Sequence, residues 1–261
     1  MSACPAPYNP GGIVPFTPAG ASVRNQTRTG LTPVTTVAEN LNVVRQRIAR
    51  AAERAGRDPA GITLVAVSKT QPPEAVRQAL AAGVRHLGEN YVQEAEAKWA
   101  ALGEIDAVRH FIGHLQRNKA GKAAALFEVV QCVDSLALAQ ALGRRAEALG
   151  RTLDVLLEVN AAGEASKFGV EPAQALALAE QVAPVPGLRL RGLMGMGPLT
   201  GDADAARASF RLLAELFRKL PEECRQTLSM GMSGDFETAI EEGSTMVRVG
   251  TGIFGPRRSA G

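Results

Sequence analysis

Cysteine is scarce: Cys4, Cys132 and Cys224 are the only three in 261 residues, far apart, odd in number and without CxxC spacing. That argues against a disulfide framework and against a thiolate metal site, and it fits a reducing cytoplasm, where the protein is expected to work. No stretch approaches the ~18 uninterrupted apolar residues of a membrane span, and the N-terminus lacks the basic start and apolar segment of a secretory signal. A long run of one charge is also missing. Lysine and arginine number 29 against 26 aspartate and glutamate, a formal net charge of +3, so neither nucleic acid nor a membrane is an expected partner.

What is present is enough apolar material for one substantial core, 46% of the chain, at a length that barrels commonly fill as a single domain. Residues 1–35 carry PAPYNPGGIVPFTPAG and polar residues. That Pro/Gly/Thr-rich composition buries too little apolar area to order itself, so a disordered extension is expected there, with a single domain over 36–261. At Thr36 the pattern changes. Thr36 and Glu39 form a capping-box signature, and Leu41, Val44, Ile48 and Ala52 recur at helical spacing until Gly56, which predicts one amphipathic helix. Beyond it, eight short β-rich runs alternate with longer helical ones. The runs are 62–68, 84–88, 109–113, 128–133, 152–160, 188–196, 227–232 and 245–250. Strands apolar on both faces, alternating with helices eight times, predict a parallel sheet closed as a (β/α)8 TIM barrel with an extra N-terminal helix. The competing architecture is an open doubly wound sheet.

In such a barrel the active site lies at the C-terminal ends of the strands, which makes their polar endings candidates. The first strand finishes V-S-K-T, and strict alternation puts Val65, Val67 and Lys69 on one face, the barrel interior by this reading. A partly desolvated lysine is less basic, and a neutral amine attacks an aldehyde to form a Schiff base; the alternative is a solvated lysine at a strand end. After the last strand come Gly250, Thr251, Gly252 and Gly255, either a phosphate cup or a tight turn. Arg248, inside that apolar strand, needs a carboxylate or a ligand as partner. The seventh strand runs into S-M-G-M-S-G-D, with Ser229, Gly231 and Ser233 beside the proposed cup. Ser233 or Asp235 would equally suit a helix N-cap. Met194 or Met196 could lie against a flat ring or fill core. His110 and His114, four apart across a strand end, read as structural rather than metal-binding.

Seven blocks then carry a resemblance: VSKTQPPEAV, HLGENYVQEAEAK, HFIGHLQRNK, VNAAGEASKFGV, LRGLMGMGP, LSMGMSGDFETAI and GSTMVRVGTGIFGPR. Together, from about Ile62 to Arg257, they resemble the YggS/PROSC family of pyridoxal phosphate homeostasis proteins. The resemblance implies a barrel like the N-terminal domain of alanine racemase, with pyridoxal 5'-phosphate attached to Lys69. It implies that Ser229 or Ser233, with Gly250 and Thr251, holds the phosphate, that Arg248 faces the pyridine nitrogen, and that Asn90 lies near the ring. A cation beside that nitrogen disfavours its protonation and makes the ring a poorer electron sink. Racemases of this fold complete their site with a second domain, for which PRRSAG after the last strand leaves no room. The expectation is a cofactor-managing monomer that releases its cargo to apo forms of pyridoxal-phosphate enzymes, without substantial turnover. An amino-acid racemase and a Schiff-base aldolase acting on a sugar phosphate are the alternatives.

Overall fold

The computed structural model describes residues 36–164, 168–198 and 202–256; the expected extension at 1–35 lies outside the described residues. The elements follow the predicted alternation. Helix α1 (Val37–Arg54) leads to β1 (Thr63–Val67), α2 (Pro73–Ala81), β2 (His86–Glu89), α3 (Val92–Leu102) and β3 (Val108–Phe111). Next come α4 (Ala120–Leu126), β4 (Val129–Val133), α5 (Leu136–Ala148), β5 (Leu153–Val159), α6 (Ala175–Val182) and β6 (Leu188–Gly195). The chain continues through α7 (Ala203–Lys219), β7 (Thr227–Ser229), α8 (Phe236–Glu241), β8 (Met246–Val249) and the single turn α9 (Thr251–Phe254).

All eight strands are parallel and neighbour one another in chain order. Strand β8 returns to β1 in the register Thr63↔Met246 to Ala66↔Val249. That pairing closes the barrel and decides against the open sheet.

The apolar core is the layer between sheet and helices. Ala66, Leu87, Phe111, Val130, Leu157 and Val247 belong to it, together with Val76, Trp99, Leu142 and Phe210 from the helices. Val65 and Val67 point the other way, into the barrel, where they would meet a Cβ placed on Gly88. The interior is unusually polar. His110, Gln131, Glu158, Ser229 and Arg248 are all buried, and buried polar groups of this kind need partners or a ligand.

Helix α1 starts on the predicted capping box, Thr36 and Glu39 each bonding the other's backbone N–H. It buries Leu41, Val44 and Ile48 against α8 and α9. Asn40 Nδ2 donates to the Ile253 carbonyl at 3.0 Å, and Arg47 pairs with Glu237 at 3.0 Å. The added helix thus braces the turn that carries the C-terminal glycines.

Candidate functional site

Strand β1 ends at Val67, and the next three residues are held by a buried ion cluster. Lys98 on α3 is inserted under them: its Nζ donates to the Ser68 carbonyl at 2.6 Å, to Glu89 Oε1 at 2.6 Å and to Glu94 Oε1 at 3.0 Å. Ser68 Oγ donates to the same Glu89 oxygen at 2.7 Å, and the Thr70 N–H donates to Glu94 Oε1. Thr70 has φ +64°, a left-handed conformation that costs a non-glycine residue roughly 1–2 kcal/mol. The cluster therefore pins the residues on both sides of Lys69. Lys69 itself is half-buried and lines a cavity of about 250 Å³ at the C-terminal mouth of the barrel.

Asn90, Ser233, Arg248, Gly250 and Thr251 line that cavity with Lys69. Asn90 is seated by a close approach: a Cβ at Gly113 would stand 2.3 Å from the Asn90 carbonyl oxygen. Gly113→Ala is accordingly expected to lower stability by about 1–3 kcal/mol, measured by urea unfolding; a loss near zero would mean that the contact yields freely. On the opposite wall, the backbone N–H groups of Gly250 and Gly252 both point at Ser233 Oγ, each at 3.3 Å. Donors gathered on one hydroxyl in this way can be turned to an anion's oxygens.

Arg248 stands between. Nη1 donates to Ser229 Oγ at 2.7 Å and Nη2 to the Gly195 carbonyl at 3.0 Å. Burial pushes the guanidinium down to about 10, opposed by the charges of Glu158 and Asp235, so it stays cationic at neutral pH. Behind it runs a chain of hydrogen bonds with one direction. Ser229 Oγ donates to Gln131 Oε1 at 2.7 Å, which turns Gln131 Nε2 toward His110 Nδ1 at 2.9 Å. That nitrogen must be an acceptor, so the His110 Nε2–H donates to His86 Nδ1 at 2.9 Å. Both rings are neutral by this pattern. Burial lowers both pKa values, His110 to about 3 with the neighbouring His86 adding to the effect.

Six of the nine residues singled out in the sequence, Lys69, Asn90, Ser233, Arg248, Gly250 and Thr251, meet in one cavity. The other three do not line it. Ser229 ends β7 inside the barrel and is spent on Arg248 and Gln131. Gly231 has φ +93°, and its Cβ position is filled by Ala239 at 2.6 Å, so it serves the packing of α8. Met194 lies buried at the register of Glu158 and Ser229; Met196, two residues along the same face, reaches the cavity, as do Ile112 and Met232. Asp235 takes the N-cap position of α8 without a side-chain cap bond there, its carboxylate accepting from the Met232 N–H at 2.6 Å. His110 and His114 diverge, the first into the interior chain and the second stacked on Phe168 at 3.6 Å.

This lining fits a small molecule with an aldehyde at one end and a phosphate at the other. A primary amine, a fixed cation and converging N–H donors line one space, and Asn90, which also lines it, has a buried Oδ1 with no hydrogen-bond partner among the described residues. Comparison with known proteins points the same way. The family described as alanine racemase, N-terminal domain, matches residues 39–258. The pyridoxal phosphate homeostasis protein of Pseudomonas aeruginosa is 50% identical over 224 residues, 86% of this chain and 97% of its own. Its counterpart in Escherichia coli K12 is 43% identical over 228 residues, 85% and 97% of the two chains. Among solved structures, PipY of Synechococcus elongatus with pyridoxal phosphate bound superposes with a TM-score of 0.73 at 40% identity, covering 84% of this chain and 100% of that one.

Proposed function

Because the chain belongs to the alanine racemase N-terminal domain family, and within it to the pyridoxal phosphate homeostasis proteins, we propose that it holds pyridoxal 5'-phosphate on Lys69 as a Schiff base and manages its supply. The observation that carries this reading is the convergence of Lys69, Arg248 and the Ser233–Gly250–Gly252 donor group on one 250 Å³ cavity. Bound there, the cofactor supplies a carbonyl that condenses reversibly with primary amines. Lys69 is the anchoring amine, presented at a fixed point by the Lys98 cluster. The N–H groups of Gly250 and Gly252 and the hydroxyls of Ser233 and Thr251 receive the phosphate. Arg248, cationic and already bonded to Ser229 and Gly195, presents positive charge to the ring nitrogen and opposes its protonation. The site thereby retains the cofactor while restraining carbanion chemistry, as a carrier requires.

In this reading residues 36–261 act as one domain beside the extension at 1–35. The protein works in the cytoplasm as a monomer and passes its cargo to apo forms of pyridoxal-phosphate enzymes. Among the described residues no helix is long and apolar enough to cross a membrane.

Titration of purified protein with pyridoxal phosphate, followed by near-visible absorbance, tests the proposal. The wild type is expected to develop an imine band that Lys69→Ala lacks, and to racemise or cleave amino acids no faster than free cofactor does. An equal band in Lys69→Ala would refute the anchor. Turnover well above the free cofactor would make the protein an enzyme.

A further inference from the structure

A second cavity, of about 520 Å³, adjoins the first, and Asn90, Ile112 and Met196 line both. Glu158 lines only the second. Its side chain projects from β5 into the polar interior, and the residue is 4% exposed. Unlike its neighbours, its carboxyl has no hydrogen-bond or ion-pair partner among the described residues. Arg248 is the cation that acts on it, but the hydrogen bonds that the guanidinium makes go to Ser229 and Gly195. A largely desolvated carboxyl with no donor from the protein is costly to ionise, and the group that would relieve it is a cation with N–H bonds to give. Lys119 lines the same cavity, half-buried and likewise without a side-chain partner among the described residues. His114, stacked on Phe168 at 3.6 Å with the planes 13° apart, adds a flat aromatic lining.

A carboxyl with no donor and an ammonium with no acceptor among the described residues, both lining one space, are the complement of a zwitterion. We propose that this cavity is a subsite for a free amino acid, Glu158 receiving its ammonium, Lys119 its carboxylate, and the aromatic wall its side chain. That the bound amino acid is an amine destined to exchange with Lys69 rests on the cofactor reading above; the subsite itself does not.

Binding carries a proton signature. Burial, reinforced by the charge of Asp134 and opposed by Arg248, pushes the Glu158 carboxyl up to about 7. The groups facing it are Asp134 and Cys132 from the β4 side and Arg248 from β8, with Lys119 and His114 lining the same cavity. An ammonium arriving below pH 7 ionises Glu158, and the displaced proton goes to the buffer.

Calorimetric titration with L-leucine tests this on protein loaded with pyridoxal phosphate and then reduced with borohydride, so that no exchange at Lys69 can occur. Expected are one site per chain, binding at least tenfold weaker for both isobutylacetate and n-butylamine, and proton release at pH 6 that fades by pH 8. Glu158→Gln should weaken leucine at least tenfold and abolish the proton release. Lys119→Met should weaken leucine but leave n-butylamine unchanged. No leucine binding by the wild type, or binding indifferent to both substitutions, overturns the proposal. The pyridoxyl mass of the Lys69 peptide, read on the same sample, reports separately on the cofactor reading. If that mass is missing, the same titration of apoprotein still decides the subsite.

Discussion

Lys98→Met is expected to lower the unfolding free energy by about 3–5 kcal/mol, the range for removing one partner of a buried ion pair. Lys98 and Glu89 have side chains 4% and 0% exposed and stand 2.6 Å apart. Burial raises the Glu89 pKa while Lys98 opposes the rise, and Glu89 Oε2 already lacks a hydrogen-bond partner among the described residues. With the ammonium gone, the carboxyl is left buried among groups that cannot replace it. The Ser68 carbonyl loses its donor, and the left-handed Thr70 loses part of the frame around it. Replacing both partners with apolar side chains should recover much of the loss, because a buried pair and a well-packed apolar substitute are often close in free energy. Urea unfolding of wild type, Lys98→Met and Lys98→Met/Glu89→Leu checks this; a single-variant loss below about 1 kcal/mol would mean that the cluster is well solvated.

The second large effect changes with pH. The Glu158 carboxyl is raised from 4.5 to about 7 by burial first, then by the charge of Asp134, against the pull of Arg248. Between those values the folded protein holds a proton that the unfolded chain has given up, so stability falls as pH rises. The contribution is fully present below pH 4.5 and lost as pH passes 7, amounting to roughly 3 kcal/mol at 1.36 kcal/mol per unit. Glu158→Gln removes the slope. Unfolding free energies of the two proteins without ligand should nearly coincide at pH 4.5 and separate by roughly 3 kcal/mol in the variant's favour at pH 8. Parallel curves would place the carboxyl in water.

The sequence made the barrel legible because every strand is a short apolar run between helical periods, and the predicted runs overlap all eight observed strands. Closure was the less visible part, since β8 pairing with β1 joins residues some 180 positions apart, Thr63 with Met246, and no local pattern records that. The cavity residues were legible where a strand end and a motif agreed, at Lys69, Arg248 and Gly250. Ser229 and Ser233 were left as alternatives because the strand boundary was not legible: β7 stops at Ser229 rather than at 232, which leaves Ser229 in the interior and puts Ser233 on the cavity. Met194 and Met196 share a face, so alternation alone could not tell which of them reaches the ligand space. The Lys98 cluster did leave a signal, Glu94 and Lys98 spaced i,i+4 within GENYVQEAEAK, but that spacing usually marks an exposed helical pair. Only the tertiary position of α3 under the end of β1 shows that this lysine is buried. Glu158 had no signal at all, being one of two acidic residues, with Asp154, in an otherwise apolar strand.

Borohydride reduction of the protein after incubation with pyridoxal phosphate, followed by peptide mass mapping, tests the central claim most directly. The account predicts a single pyridoxyl adduct on the peptide containing Lys69. An adduct confined to another lysine, or none on a protein that stays colourless with the cofactor in excess, would contradict it.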